Sequence, residues 1–219
     1  FLESYFPLRI ETYESITDSG GPGFHRGGNG IRLGYCFLEP GTISIHDDRW
    51  LMYPWGVNGG IPGRRSEKLL HRTDGTIEKL PAKCDRIEVN AGDILHFNTW
   101  GGGGCGDPFK RPAERVSFDV KAGLVSREGA KRYGVILNDD LSGNERRTTT
   151  LREKLSKERG KPPMFDRGGD IESIKARCLK ETGFPPPRQP EFQAWAMKMN
   201  ETAKKKSKLP KKRKKSKAA

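Results

Sequence analysis

No stretch of this chain is apolar over the roughly 18 residues that a bilayer-spanning helix needs, and no signal peptide is visible. No transmembrane helix is expected within these residues, and no membrane partner. Cysteine is scarce as well, and Cys36, Cys84, Cys105 and Cys178 stand far apart without a C-x-x-C pair. That spacing fits neither a zinc ribbon nor a disulfide scaffold, which leaves reduced thiols and a cytoplasmic setting as the expectation. A Gly-Lys-Ser/Thr triplet is missing, so no Walker-type phosphate loop is encoded. Hydrophobic residues make up only 33% of the 219 positions, against 27 glycines and 15 prolines, and the first residue is Phe1. A turn-rich piece of a longer protein is expected.

Acids are missing from one place in particular. Of the +13 net charge, ten positive residues fall between Lys204 and Lys217 with no acid among them, which leaves the rest of the chain at +3. Such a block cannot repay the entropy of ordering, so the tail from Ala203 is expected to be disordered, with polyanion binding or a nuclear address as its candidate roles.

What the chain does have is glycine. Residues 91–111 read as a short strand through Ile94, Leu95 and Phe97, then Gly101, Gly102, Gly103 and Gly104, then a turn at Cys105-Gly106-Asp107-Pro108. Four glycines in a row need a positive-φ path or a close approach of another backbone. Gly101, Gly103 and Gly106 satisfy G-x-G-x-x-G formally, but Asp107-Pro108 follows where a dinucleotide fold needs a helix, so that reading is rejected. Two readings stay open: a nest of N–H groups holding an anion, or a crowded corner of main chain.

Residues 18–30 form a loop with six glycines around His25, Arg26, Gly27 and Gly28. Arg26 there is either an anion fork or a brace for a neighbouring carbonyl or carboxylate. Alternation of Ile31, Leu33, Tyr35 and Phe37 predicts a strand, and Glu39-Pro40-Gly41 a turn into a partner strand over residues 42–46, the two forming a hairpin. A second hairpin is expected from Lys68 to Leu80 around Asp74-Gly75 as a type I′ turn. His46-Asp47-Asp48 suggests a metal site, but adjacent residues on an extended chain point to alternating faces, so only a distributed site with His25 and His96 remains as a candidate. Helices are expected from Pro112 to Gly123, from Ser126 to Gly134, over residues 151–159 behind a Thr150/Glu153 capping box, and over residues 171–180 behind Asp170. Phe192, Trp195 and Met199 recur at helical spacing as a docking face. The fold class that follows is mainly β, a glycine-cornered sandwich or barrel, followed by short α-helices.

Taken together and in order, Asp18-Ser19-Gly20-Gly21 with Arg26-Gly27-Gly28-Asn29-Gly30, Pro54-Trp55-Gly56-Val57-Asn58-Gly59-Gly60, Gly92-Asp93-Ile94-Leu95 with residues 99–108, and Asp119-Val120 through Tyr133-Gly134-Val135 resemble the C-terminal part of the hydantoinase B/5-oxoprolinase family. The resemblance implies an ATP-dependent enzyme that opens a cyclic amide such as 5-oxoproline or a hydantoin, or, in relatives, carboxylates a ketone. It also implies a hydantoinase A-like ATP-binding subunit or fused half as partner, with the principal catalytic part in a missing N-terminal half. ATP and a divalent metal would serve the full enzyme, and neither is expected in this chain. The resulting division is residues 1–137 as the β-rich domain, 138–202 as a helical extension and 203–219 as the lysine-rich tail. Catalytic residues stay unassigned. Arg26, Gly27, Gly28, Gly101 to Gly104 and Asp107 are the substrate or interface loop candidates, and His25, His46 and His96 the metal candidates. A β-rich interaction module with a nucleic-acid-binding tail is the alternative from another class.

Overall fold

The computed structural model describes residues 1–188. Phe1–Pro185 form one compact unit, and the second, Pro186–Ala219, is described only through residue 188. The helical stripe at Phe192, Trp195 and Met199 and the lysine-rich tail lie outside the described residues.

In chain order the elements are α1 (Leu2–Tyr5), β1 (Leu8–Ser15), β2 (Ile31–Phe37), β3 (Gly41–His46), β4 (Gly56–Val57), β5 (Glu67–His71), β6 (Ile77–Lys79), β7 (Lys83–Val89), β8 (Ile94–Asn98), α2 (Ala113–Lys121), α3 (Glu145–Arg159), β9 (Phe165–Asp166) and α4 (Ile171–Thr182). Five strands make an antiparallel sheet in the order β1-β2-β8-β5-β6, while β3 pairs with β7 and β4 with β9 in two-stranded ribbons. Phe37, Leu70 and Leu95 from the large sheet bury against Ile45 and Val89 of the β3-β7 ribbon, with Leu80 beside them. This is the expected β structure with glycine corners, built as two layers over one core and followed by short helices.

The alternation in β2 is read correctly, but its partner is not the strand after it. Both edges of β2 are occupied by β1 and β8. Phe37 N–H donates to Asp93 O (2.9 Å) and Gly92 N–H to Phe37 O (2.8 Å), closing the end of β2 onto the loop before β8. Glu39-Pro40-Gly41 therefore carries the chain across to the other layer, where β3 pairs with β7. Ile43 and Ile45 still face the core, because alternation depends on the strand and not on its neighbour.

The hairpin expected from Lys68 to Leu80 is present as β5-β6, but its turn is not type I′. Gly75 has φ +87° and Asp74 is not among the positive-φ residues, whereas type I′ needs positive φ at both central positions. Gly75 N–H donates to Arg72 O (3.0 Å), which makes a type I turn followed by a left-handed glycine. A pair meeting the I′ condition lies at Asn58 (φ 52°) and Gly59 (φ 89°), where Gly60 N–H donates to Val57 O at 2.9 Å.

A second core gathers Val116, Val125, Ala130, Tyr133, Val135 and Leu137 beneath α2. The helix expected behind Ser126 is a short 3-10 turn, Gly129–Tyr133, with Ser126 Oγ accepting from Gly129 N–H and Gly134 closing it in the left-handed region. The helix expected to begin behind Thr150 begins instead at Glu145, capped by Asn144, whose Oδ1 accepts from Arg147 N–H at 3.0 Å. Three adjacent β-branched threonines weaken helix propensity there, but Thr148 is buried and its Oγ1 accepts from Ile136 N–H. Tertiary contact thus carries the helix through a weak stretch. Asp170 and Gly183 cap α4 as expected, and Gly160 ends α3.

Asp93, which opens β8, is a buried acceptor for the N–H groups of Asn90 (2.9 Å) and Thr73 (3.1 Å) and pairs with Arg72 at 3.1 Å. Burial works against its carboxylate, but these donors outweigh burial and hold Asp93 below the ordinary carboxylate range. A lowered folded value means that this stabilisation is complete above the unfolded value, near pH 4, and is lost as pH falls through the folded one. Urea midpoints measured against pH are expected to fall below about pH 4 in the wild-type chain and to flatten there in Asp93→Asn. An identical acid limb in both proteins would contradict that role.

Candidate functional site

Three glycine-rich segments, residues 18–30, 54–63 and 99–107, meet at one end of the large sheet and lie directly against one another. Gly21 N–H donates to Gly102 O (2.8 Å), Gly102 N–H to Gly28 O (2.8 Å), Gly104 N–H to Ile61 O (3.0 Å) and Val57 N–H to Gly104 O (2.9 Å). Side chains have no room between these backbones. A Cβ on Gly101 would overlap the Ser19 carbonyl, one on Gly103 the Trp55 carbonyl, and one on Gly27 the Gly102 carbonyl. As at the crowded axis of a collagen triple helix, only glycine fits. The run from Gly101 to Gly104 contains no positive φ, so close backbone approach is the reason for its glycines. Gly28 is different, being exposed with nothing near its missing Cβ.

The N–H groups of Gly101, Gly102 and Gly104 are spent on Arg64 O, Gly28 O and Ile61 O. A phosphate would have to compete with these bonds, so the run does not fit a phosphate cradle.

Arg26 is the brace and not an open anion fork. Its Nη1 donates to Gly27 O (2.7 Å) and Asn29 Oδ1 (3.0 Å), and its Nε lies 3.5 Å from Asp119 Oδ2. Asp119, only 4% exposed on α2, also accepts from Arg111 Nη2 at 2.8 Å. Arg111 Nη1 reaches back to Phe24 O (2.8 Å), and Arg152 of α3 donates to Arg111 O (2.6 Å) and Tyr133 O (3.2 Å). One buried carboxylate between two guanidinium groups thus ties the glycine loops to the helical segment. Tyr133, packed under this cluster, has its phenol pushed up to about 12 by burial.

Asp107 fixes the exit of the glycine run. It accepts from Phe109 N–H (2.9 Å) to cap the turn Pro108–Lys110, and pairs with Arg159 of α3 at 2.8 Å. Burial raises its carboxyl, but Arg159 and the Phe109 N–H outweigh this and hold it below the ordinary range.

The three histidine candidates sit in separate settings. The exposed His25 packs edge-on against Phe24, with its main chain bridged to Cys105. His46 Nε2 lies 2.9 Å from Asp85 Oδ1 at the surface. The His96 ring lies 4.6 Å from the His71 ring at a tilt of 46°, and burial, followed by His71, lowers the His96 pKa. Asp47 is drawn inward to a buried ion pair with Lys68. Among the described residues, no three His, Cys, Asp or Glu side chains are placed to hold a metal ion. His25, His46 and His96 therefore do not come together as a shared metal site.

Arg111, Asp119 and Arg152 are absent from the candidates that the sequence suggested. Arg111 lies just past the glycine run, and Asp119 falls within a motif block that carries the family resemblance, which is a signal of importance but not of mutual contact.

The hydantoinase B/oxoprolinase family pattern matches residues 1–108. The B component of a putative D-/L-hydantoinase from a Pseudomonas strain is 30% identical over 154 residues, covering 69% of this chain and 26% of that protein. The crystal structure of an ATP-dependent caprolactamase from Pseudomonas jessenii superposes with a TM-score of 0.57 at 30% identity, covering 69% of this chain and 27% of that one. Acetone carboxylase in a nucleotide-free structure shares the fold, with a TM-score of 0.56 at 21% identity over 70% of this chain and 25% of that one. The chain spans about a quarter of the length of these relatives. No helix among the described residues is long and apolar enough to cross a membrane. Residues 1–108, which hold the three glycine loops and the strands between them, belong to the hydantoinase B/oxoprolinase family.

Proposed function

We propose that this chain is the C-terminal part of a B-type component of an ATP-dependent cyclic-amide hydrolase, working with an A-type ATP-binding subunit or fused half. The observation that carries the reading is the match to ATP-dependent caprolactamase, at 30% identity over 69% of this chain. In this reading the glycine junction is a rigid platform. Gly27, Gly28 and Gly101 to Gly104 hold the three loops in contact, Arg26 and Asp107 lock them from either side, and the platform presents its outer rim to the rest of the catalytic half or to the partner. In this reading turnover belongs to the assembled enzyme.

The test is an assay of the purified chain, and of its complex with a co-expressed A-type subunit and the remaining B-type region, on 5-oxoproline, hydantoin and caprolactam with ATP and a divalent metal. The complete complex is expected to hydrolyse at least one cyclic amide with stoichiometric ADP release, and the chain alone none. Turnover by the chain alone at the rate of the complex would overturn the platform role. A complete complex that is inert on cyclic amides but consumes acetone and bicarbonate would replace the hydrolase by a ketone carboxylase.

A further inference from the structure

The second layer of the fold stops short of the first. The β3-β7 ribbon buries Phe37 of β2, Leu95 of β8 and Leu70 of β5, but among the described residues no side chain of β1 belongs to that core. Yet β1 presents the same kind of face. Leu8, Ile10 and Tyr13 stand opposite Phe37, Tyr35 and Leu33 of β2, and directly opposed residues point to the same side of a sheet. On the side where Phe37 is buried, Ile10 is 38% exposed and Tyr13 71%. Among the described residues β1 is also paired along one edge only, with β2.

A bulge produces this arrangement. Strict alternation from Leu8 and Ile10 would carry Thr12 and Glu14 onto the ribbon side. The register shifts between Ile10 and Thr12, which turns Thr12 and Glu14 to the other side, opposite Gly34 and Arg32, and brings Tyr13 to the ribbon side in their place. The charges of β1 are matched elsewhere, Arg9 with Glu11 and Glu14 with Arg32 at 2.8 Å. A strand that faced water on this side would be polar there, so the bulge sets an apolar surface where solvent alone favours a charged one. The same edge continues into α1. Glu3 Oε1 accepts from Ile10 N–H (2.8 Å), and Tyr5 and Phe6 beyond it are exposed, as is Leu38, whose N–H donates to Pro7 O (2.8 Å).

Two observations choose the occupant. Aromatic and aliphatic surface without charge has the character of a core cut in half, which marks permanent interfaces and not transient ones. The chain also spans about a quarter of the length of its relatives, so a B-type component of their length has most of its residues to place against this one. We propose that the ribbon-side face of β1, centred on Ile10 and Tyr13, is covered by an apolar strand or helix of the remaining B-type region, which completes the second layer over the sheet. This rests on the chain being the C-terminal part of a B-type component.

Thiol labelling tests it. Tyr13→Cys is made in this chain and in the joined B-type polypeptide, and its reaction with N-ethylmaleimide is followed by peptide mass, relative to the urea-unfolded protein. Labelling is expected to be at least about tenfold slower in the joined polypeptide, because a covered thiol reacts only through local opening. Equal labelling in the two would overturn the proposal. Protection already present in the chain alone and rising with its concentration would give the face to a second copy, and overturn it likewise. Should Tyr13→Cys fail to fold by circular dichroism, amide hydrogen exchange over residues 8–15 of the two unsubstituted polypeptides decides, slower exchange in the joined one being expected and equal exchange contradicting the proposal. Neither readout uses turnover. An open face in an enzyme that hydrolyses cyclic amides would overturn this surface alone, and a covered face in one inert on them would overturn the hydrolase reading alone.

Discussion

Gly103→Ala is expected to unfold this chain or to reduce its stability by at least ~3 kcal/mol, while Gly28→Ala changes it by less than ~0.5 kcal/mol. The two glycines stand in the same junction and differ in one respect. A Cβ at Gly103 falls on the Trp55 carbonyl, part of a backbone that is hydrogen-bonded on both sides, whereas a Cβ at Gly28 meets nothing. Backbone cannot swing away as a flexible side chain can, so one methyl group must separate two loops. Overpacking of this kind typically costs ~1–3 kcal/mol, and here the contact is with main chain, which places the effect at the top of that range or above it. The sign of φ plays no part, because Gly103 is not among the left-handed residues. Urea denaturation of the two variants beside wild type checks this. Equal midpoints for Gly103→Ala and wild type would mean that the junction yields.

Removing the carboxylate at Asp119 should cost about as much through a different mechanism. Asp119 lies between Arg111 (2.8 Å) and Arg26 (3.5 Å), all of them at most 15% exposed at the side chain. Asp119→Ala strands two buried guanidinium groups, and breaking a buried pair in this way costs ~3–5 kcal/mol. Asp119→Asn keeps an acceptor oxygen but loses the charge, so it should lie between Asp119→Ala and wild type. A double-mutant cycle with Arg111→Met separates the pair from its surroundings. Once the arginine is gone, the further loss on Asp119→Ala should shrink by at least ~1 kcal/mol. Additive losses would show that the two side chains act independently. Buried ion pairs of this kind contribute little net stability over an apolar replacement, and their worth here is in joining particular elements. Arg26 belongs to a glycine loop, Arg111 to the segment after the glycine run, and Asp119 to α2.

A good part of the architecture was legible from residue patterns. Alternation picked out β2 and the inward faces of Ile43 and Ile45, and Asp170, Gly160 and Gly183 marked helix ends. These signals are local, since an N-cap or a left-handed glycine acts within one turn of its own chain. Failures came where a local signal was overruled from a distance. Thr150 and Glu153 form a valid capping box by spacing, yet Thr150 lies inside α3 with its hydroxyl on Arg146 O, because Asn144 caps earlier and Ile136 engages Thr148. The turn at Glu39-Pro40-Gly41 has hairpin chemistry, yet β2 had no free edge left to accept β3.

The sequence by itself singled out the run from Gly101 to Gly104, since four consecutive glycines call for either crowding or unusual backbone angles. Only the tertiary structure decided between those two, by bringing the Trp55 and Ser19 carbonyls to the places where side chains would stand. Arg26 likewise carried a fork of donors that suited an anion or a brace equally well, and the choice rested on Asp119 arriving from far along the chain. The reason is the same in both cases. Residue type restricts what a position can tolerate through its own backbone and immediate neighbours, while the identity of what presses against it is set by strand order and layer packing, which no local pattern encodes.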